Sequence, residues 1–388
     1  MVSRKESKKK KKGKLMATNH LGRLHHDLLA QVMARVDGST LAAAACTCTD
    51  IRSVAHEEQL WEDLCHSTWP STQGKKAQSL ISSCVGGFSK FYADSYPLIV
   101  YKKGPQVLRG PIQETHVAPS HLVSLVDFYY KKKCIFSKVL YGVDGHDDDG
   151  DGGHHHHHDG WFMDCPFRLD VLNYENVRRT HDDDDDDDDE DDGDDGHDDG
   201  DMMGGLPPIP FVEKKERGSS KLCRKLEENV RLSWVILDTK SGKSVNLSSW
   251  KPVLVQRYWP SEGDFLMRFG CVVPMEERVV ASGAAECVIT VRCQLMETEG
   301  WLRWTEISMQ VEDKEGAHVS GGRSMKVLEE ALGCERSKER GLVERGYGEY
   351  VREKRELREK KMKSEGLLDR LCVLSGIGVF AALCFFAF

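Results

Sequence analysis

The sequence predicts an α+β protein with a small helical unit near the N-terminus, a larger antiparallel β-rich domain and a helical C-terminal segment. Three observations favour this fold class. Apolar residues recur at helical spacing between residues 24 and 65, and they alternate with polar residues over much of 228–312. Beyond residue 325 the chain carries dense charge, and an uncharged apolar run follows.

Composition limits the class of protein before any motif is considered. The chain has 388 residues, of which 39% are hydrophobic and 30% charged, so it is long enough for a substantial core. Eight Trp, thirteen Phe and ten Tyr exclude a wholly disordered protein. A single long apolar run excludes a membrane protein with several spans.

The acidic net charge of the chain comes from two short inserts. Residues 182–201 hold 16 acidic groups and residues 144–151 hold five, so the rest of the chain carries about +12 instead of the overall −9. The inserts 144–160 and 181–208 are too polar to bury and are predicted to be disordered. A run of five histidines, 154–158, could bind nickel, copper or zinc loosely, but low-complexity expansion is the favoured explanation.

Residues 1–19 are rich in lysine and are predicted to form a disordered basic tail. Solubilisation, nuclear targeting and RNA contact remain open roles for it. The chain starts without an apolar signal segment, so its thirteen scattered cysteines are interpreted as reduced thiols. Cys46 and Cys48 form a CxC pair without a second pair at zinc-site spacing, and therefore we predict neither a metal site nor a cofactor.

Residues 20–66 are predicted to form three short helices. The first follows Asp27, whose carboxylate can cap it, and places Leu28, Leu29 and Val32 on one face. Asp37 to Ser39 ends this helix and caps the second, which starts near Leu41. A third runs from Asp50 to Cys65, and residues 67–97 are predicted to be a helical linker. Three short helices bury little surface, so this unit needs a partner.

Residues 98–324 are predicted to form a β-sandwich or a partly open barrel. Two apolar runs around Lys131–Lys133 indicate a hairpin, and residues 161–172 indicate a strand interrupted near Pro166. Period-two alternation marks four further strands, centred on residues 230–236, 265–273, 287–295 and 307–311.

The C-terminal segment combines a charged helix with an apolar tail. Residues 325–370 are predicted to be the charged helix, and residues 371–388 contain no charge. Eighteen helical residues span about 27 Å, close to the thickness of a thin bilayer. Lys360, Lys361, Lys363 and Arg370 flank the run and favour the cytosolic side. We expect a transmembrane anchor that holds the protein on the cytosolic face of a membrane, with the endoplasmic reticulum favoured over cytoplasm or nucleus.

The helical unit resembles an F-box, a module of about 45 residues. Residues 24–29 read Leu-His-His-Asp-Leu-Leu, against the family opening Leu-Pro-x-Asp/Glu-Leu/Ile-Leu. Leu41 and Cys48 match the family spacing, and residues 60–65 match its closing Leu-Trp element. His25 replaces the usual proline, and Ile51 replaces a frequent tryptophan.

The downstream chain is similar to one plant subfamily of F-box proteins. The similarity rests on short motifs in residues 126–130, 135–138, 161–168, 232–234 and 268–270, and on the basic helix and apolar tail. This similarity implies that the chain is a non-catalytic adaptor of a ubiquitin ligase. Such an adaptor binds a Skp-type linker, and through the linker a cullin, and it also binds a protein substrate that is unknown here. Matching positions give the candidate linker contacts Leu24, Asp27, Leu28, Leu29, Val32 and Leu41.

Other functions find less support in the sequence. An enzyme is disfavoured because neither a GxSxG frame nor a GxxxxGK[ST] loop occurs. Nucleic-acid binding is disfavoured because the lysines are not interleaved with aromatic residues. The alternative is a ligand- or carbohydrate-binding, membrane-tethered protein outside ubiquitination, in which Trp250, Trp259, Trp301 or Trp304 stacks on sugar; core packing of these tryptophans is favoured.

Overall fold

The computed structural model of the chain describes residues 26–102, 117–143, 163–173, 219–259, 263–296 and 300–387. The chain divides into a first unit that ends at Leu64 and a second unit that begins at Cys65. The predicted tail 1–19 and both predicted inserts lie outside the described residues.

The first unit consists of short helices. They are α1 His26–Met33, α2 Gly38–Ala44, α3 Thr49–Ala55 and α4 Glu58–Thr68, the last of which continues into the second unit. Helices α1 and α2 both pack on α3. The predicted cap between α1 and α2 is confirmed, because the Asp37 carboxylate accepts hydrogen bonds from the backbone N–H and the hydroxyl of Thr40, each at 2.9 Å.

The predicted third helix over residues 50–65 is wrong in one respect, since it is broken between Ala55 and Glu58. The indole N–H of Trp61 donates to the backbone oxygen of Ala55 at 2.8 Å. This bond satisfies a carbonyl that a continuous helix would pair within the chain, so the side chain of Trp61 stabilises the turn.

The second unit begins with a helical layer, residues 65–96. Beyond the end of α4 it contains a 3₁₀ turn at Pro70–Gln73, α5 Lys75–Leu80, a π turn at Ile81–Val85 and α6 Phe88–Ser95. Helices therefore occupy the predicted linker 67–97. They pack on strands: the 3₁₀ turn lies against the strands Leu122–Tyr130 and Lys133–Tyr141, and α6 lies against the strand Lys243–Asn246.

Eleven strands follow in the described part of the chain, with helices inserted among them. The strands are β1 Leu98–Ile99, β2 Leu122–Tyr130, β3 Lys133–Tyr141, β4 Arg168–Asn173, β5 Val230–Asp238, β6 Lys243–Asn246, β7 Leu254–Arg257, β8 Asp264–Pro274, β9 Ala284–Leu295, β10 Leu302–Asp313 and β11 Arg336–Ser337. Helix α7, Ser219–Asn229, precedes β5, and helix α8, Gly321–Gly333, precedes β11.

The strands form two sheets with one shared core. One sheet has the order β11-β1-β6-β5-β2-β3, and the other has the order β4-β10-β9-β8-β7. All pairings are antiparallel except β1 with β6. Phe128 of β2 meets Trp304 of β10 edge to face at 4.5 Å, so the two sheets pack against each other. The α+β class and the sandwich are confirmed.

The predicted hairpin is confirmed at residues 131–132. Lys131 and Lys132 connect β2 to β3 with φ of 48° and 67°. Two consecutive positive φ angles are the geometry of a type I′ turn, in which Asn-Gly is the preferred pair. Lys131 and Lys132 therefore both adopt a positive φ at the tip of the hairpin, a backbone conformation that is unfavourable for residues other than glycine.

The C-terminal segment is divided differently from the prediction of one charged helix over residues 325–370. Helix α8 is largely buried, with Val327 and Leu328 in the sandwich core. After β11, which pairs with β1, the chain enters a single helix α9, Arg340–Ala387. Helix α9 thus joins the charged region and the apolar tail without a break.

Candidate partner-binding surfaces

Helix α1 carries exposed apolar side chains. Leu28 and Val32 are 48% and 54% exposed, and they are one helical turn apart on the same face. Leu29, by contrast, is buried. An exposed apolar pair on a small helical unit is the kind of surface that another protein covers.

The structure separates the predicted linker contacts into two groups. Asp27, Leu28 and Val32 are exposed, whereas Leu29 and Leu41 are buried and have little surface for a partner. Leu24 lies outside the described residues. The proposed capping role of Asp27 is wrong, because α1 begins at His26 and Asp27 lies inside its first turn, where its charge favours the helix dipole.

Polar contacts hold the first unit in shape. The two hydrogen bonds from Thr40 lower the pKa of Asp37 below its usual value and fix the start of α2. His26 Nε2 lies 3.1 Å from Glu57 Oε1, which joins the start of α1 to the turn before α4. The exposed face of α1 is therefore presented by a unit whose helix ends are fixed.

A row of polar side chains joins the helical layer to the six-stranded sheet. Asp127 on β2 lies between Ser137 on β3 and Ser233 on β5 in the strand register. Its buried carboxylate accepts hydrogen bonds from the backbone N–H of Ser71 at 2.8 Å, from the Ser71 hydroxyl at 2.6 Å and from the Ser137 hydroxyl at 2.8 Å. Burial raises the pKa of Asp127 to about 6, and these hydrogen bonds offset only part of that rise.

The same row fixes the end of α4. The indole N–H of Trp69 donates to the Ser233 hydroxyl at 2.9 Å, and the Asn246 amide donates to the same oxygen at 2.9 Å. The Tyr129 hydroxyl donates to the backbone oxygen of Thr68. The last turn of α4 is thus bonded to the sandwich. The sequence gives one signal for this row, a single aspartate inside the apolar strand 122–130.

The four tryptophans considered for ligand binding have different environments. Trp304 is buried in the core, in agreement with the favoured explanation. Trp250 is half-buried, with φ of 67°, between the Tyr129 ring and the Arg340 guanidinium. Trp259 is 90% exposed and Trp301 is 37% exposed. Only the last two of these four present a large aromatic surface to solvent.

Trp259 and Trp301 lie at the same end of the five-stranded sheet. Trp259 follows β7, and Trp301 directly precedes β10. The connecting loops are neighbours, because the Leu295 N–H donates to the Gly263 oxygen at 2.9 Å. Beside them the Arg292 guanidinium stacks on Tyr258 at 4.8 Å. We call this surface the aromatic end.

The described part of the chain contains a surface cleft and no cluster of metal-binding side chains. A shallow cleft of about 750 Å³ lies beside Pro119, Met163 and Met325, and its described lining holds no histidine or cysteine. No group of three or more His, Cys, Asp or Glu among the described residues is arranged to bind a metal ion. The thirteen cysteines are free thiols.

Comparison with known proteins identifies the family. F-box protein At2g27310 of Arabidopsis thaliana is 30% identical over 369 residues, which cover 93% of this chain and 94% of that protein. Probable F-box protein At2g36090 of the same plant is 30% identical over 95% of this chain and 94% of its own length. The chain belongs to the plant F-box proteins.

The resemblance drawn from the sequence is therefore confirmed. F-box protein SNE of Arabidopsis thaliana is 35% identical over 68 residues, which cover 18% of this F-box protein and 43% of SNE. No family model and no solved structure matches the chain. Since the two long matches cover more than nine tenths of the chain, the relatives share much of the sandwich unit as well as the helical unit.

Proposed function

We propose that this F-box protein is a substrate-recruiting adaptor of a Skp-cullin-F-box ubiquitin ligase. The first unit binds a Skp-type linker and, through it, a cullin, while the sandwich binds a target protein. The adaptor itself carries out no chemistry. Holding the target near the ubiquitin-loading subunit raises its effective concentration, so transfer becomes effectively intramolecular.

The observation that carries this proposal is the exposed apolar pair on α1 in a member of the F-box family. Leu28 and Val32 leave apolar area uncovered where the resemblance predicts linker contacts. Burying two such side chains in an interface contributes about 1.5–3 kcal/mol each, which is enough to determine whether the complex forms.

The aromatic end is our candidate for the target-binding surface. Exposed tryptophan, together with tyrosine and arginine, is the composition of energetic hot spots in protein interfaces. Tyr258 and Trp259 follow β7, Trp301 precedes β10, and Arg292 lies near the end of β9, so one end of the sheet provides all of these residue types. The bonds from Thr68 and Trp69 to the sandwich would hold such a target at a fixed place relative to the end of α4.

Substituting aspartate for the exposed pair is expected to abolish linker binding. The double variant Leu28→Asp/Val32→Asp places two charges in the proposed interface, where they would be desolvated without partners, and affinity should fall by about a hundredfold or more. Titration of purified Skp-type linker against the full chain measures the effect.

The matched control is Met362→Asp, which introduces the same charge at an exposed apolar position on α9. It should bind the linker like wild type. Leu29→Asp is unsuitable because Leu29 is buried and the substitution would unfold the unit. Equal affinity of the double variant and the control would refute the proposed linker interface.

The exposed Trp259 also permits the alternative function, a carbohydrate-binding protein outside ubiquitination. Indole rings stack on sugar faces as well as on protein side chains. A glycan array with the full chain and Trp259→Ala separates the two functions. Under the adaptor proposal no glycan is bound; retention of a glycan by wild type and its loss in the variant would favour the alternative.

A further inference from the structure

No described part of the chain covers the second half of α9. Every described position from Arg355 to Phe386 is exposed, and the apolar side chains in the final segment range from 55% exposure at Leu371 to 85% at Phe386. The helix contains an 18-residue window that is apolar and long enough to cross a membrane, and none of that window is buried. Water is an unfavourable environment for this segment.

A lipid bilayer is the occupant that fits this segment. The charge-free residues 371–388 are apolar on all sides of the helix, whereas a protein groove or a second helix would cover only one side. The part of this run that lies in α9, residues 371–387, is about 26 Å long, against about 30 Å for a bilayer core. Arg370 lies directly before the segment, where an anionic headgroup would attract it.

The first part of the same helix is fixed to the sandwich. Gly346 lies against the backbone just after β1. A Cβ added to this glycine would be 2.5 Å from the Tyr101 backbone oxygen. Tyr350 is fully buried, and the Lys354 ammonium contacts Glu286 at 2.8 Å and Glu312 at 3.3 Å. The last described contact is the ion pair of Lys361 with Glu315 at 2.7 Å.

Between these two parts lies a short length of free helix. Leu371 is ten positions after Lys361, which corresponds to about 15 Å along the helix. We propose that the apolar end of α9 spans a lipid bilayer, and that α9 is a rigid spacer that holds the sandwich about 15 Å from the lipid. This inference does not depend on the adaptor function.

Flotation with vesicles tests the span. The full chain is synthesised in a cell-free system with vesicles of phosphatidylcholine and phosphatidylserine, floated on a density gradient and then extracted with alkaline carbonate. We expect it to float and to resist extraction. Val379→Arg should lower the apparent partition coefficient by about a hundredfold, since arginine at the centre of a span costs about 3 kcal/mol.

The control is Met362→Arg, at a position with exposure similar to that of Val379 but outside the apolar segment. It should float like wild type. Release of the wild-type chain by carbonate would show that it attaches to the membrane surface and does not span the bilayer, which would overturn the proposal. A chain that stays at the bottom of the gradient as an oligomer would show that a second copy covers the helix instead.

Energy transfer tests the spacer separately. A fluorescent amino acid at position 259 serves as the donor, and a labelled lipid serves as the acceptor. Gly366 lies in the free helix with no atom within 4 Å of an added Cβ, so Gly366→Ala should leave the transfer unchanged. Gly366→Pro breaks the helix, and the sandwich should then approach the lipid and raise the transfer.

The two tests fail independently. If Gly366→Pro floats like wild type and also gives the wild-type transfer efficiency, the spacer is refuted while the span stands. If wild type does not float, the span is refuted. Binding of the Skp-type linker in solution, measured on the same preparations, reports on the adaptor function without involving the membrane.

Discussion

Replacing Lys354 by methionine is expected to lower the free energy of unfolding by about 3 kcal/mol, the lower end of the range for breaking a buried ion pair. The Lys354 ammonium lies between the carboxylates of Glu286 and Glu312 where α9 packs on the five-stranded sheet. All three residues are buried. Without the lysine, two carboxylates would remain close together in a site with little water.

The remaining partners explain why the expected loss is not larger. The Arg268 guanidinium pairs with Glu312 at 2.8 Å, and the Tyr347 hydroxyl donates to Glu286 at 2.6 Å. Burial, reinforced by the charge of Glu286, raises the pKa of Tyr347 and of Tyr350, so both hydroxyls stay protonated. After the substitution Glu286 therefore keeps the Tyr347 donor, and Glu312 keeps Arg268 together with the Gln310 amide, which donates to it at 3.0 Å.

Urea unfolding of the full chain measures this prediction. The control is Lys361→Met, on the same helix, whose pair with Glu315 is more than half exposed on both sides. Exposed pairs contribute little, so this variant should unfold like wild type. Adding Glu286→Gln to Lys354→Met should restore part of the loss, because it removes one uncompensated charge. Equal midpoints for Lys354→Met and Lys361→Met would show that the buried cluster is not stabilising.

The sheet strands could be predicted from the sequence because their signal is local. Alternation in residues 265–273 and 287–295 shows directly which side chains face the core, and the structure pairs these strands in the predicted antiparallel sense. The turn at Lys131 and Lys132 was predictable for the same reason, since two apolar runs with two or three polar residues between them have few other arrangements.

The connections of the helical layer and of α9 could not be predicted because their partners are far apart in sequence. Ser71 and Asp127 are 56 residues apart, and Lys354 and Glu286 are 68 residues apart. The periodicity of the sequence predicts that a residue is buried, but it does not predict which distant group forms a hydrogen bond or an ion pair with that residue. The break between α8 and α9 follows from the pairing of β11 with β1, which is also a non-local interaction.

The candidate linker site was partly predictable. Matching of family positions placed six residues in one group, but it did not separate those on the surface from those in the core. The structure leaves Leu28 and Val32 exposed while Leu29 and Leu41 are buried, because neighbouring positions on a short helix point to different sides. Which of these residues are exposed and which are buried depends on how α1 and α2 pack on α3, and the sequence alone does not show that packing.

Replacing Asp127 by asparagine is expected to make the protein more stable at pH 7.5 by about 3 kcal/mol and to change little near pH 4. The folded pKa of Asp127 is about 6, which is above the usual value because the carboxylate is fully buried. An unfolded aspartate has a pKa of about 3.9. The folded state therefore binds the proton more tightly, and the stability contributed by Asp127 is lost as the pH rises from about 4 through about 6.

Asparagine has the same shape and keeps the contacts without the charge. With its carbonyl oxygen in the place of Oδ1, it can accept from the Ser71 N–H and from the Ser137 hydroxyl, each now 2.8 Å from that oxygen. With its amide nitrogen in the place of Oδ2, it can donate to the Ser71 hydroxyl oxygen, which now lies 2.6 Å from the carboxylate. The measurement is the free energy of unfolding of Asp127→Asn minus that of wild type, determined in urea at several pH values. Asp369→Asn, at an exposed position on α9, should follow wild type throughout.

The way in which this difference in unfolding free energy changes with pH decides the physical interpretation. If the difference in unfolding free energy grows between pH 4 and 6 and then levels off, ionised Asp127 destabilises the folded protein. The hydrogen bonds that hold Ser71, and with it the end of α4, then form despite the unfavourable burial of the charge. A variant that is less stable at every pH would mean that the three charge-assisted hydrogen bonds outweigh the desolvation of the carboxylate. In that case the negative charge itself would be what attaches the helical layer to the sheet.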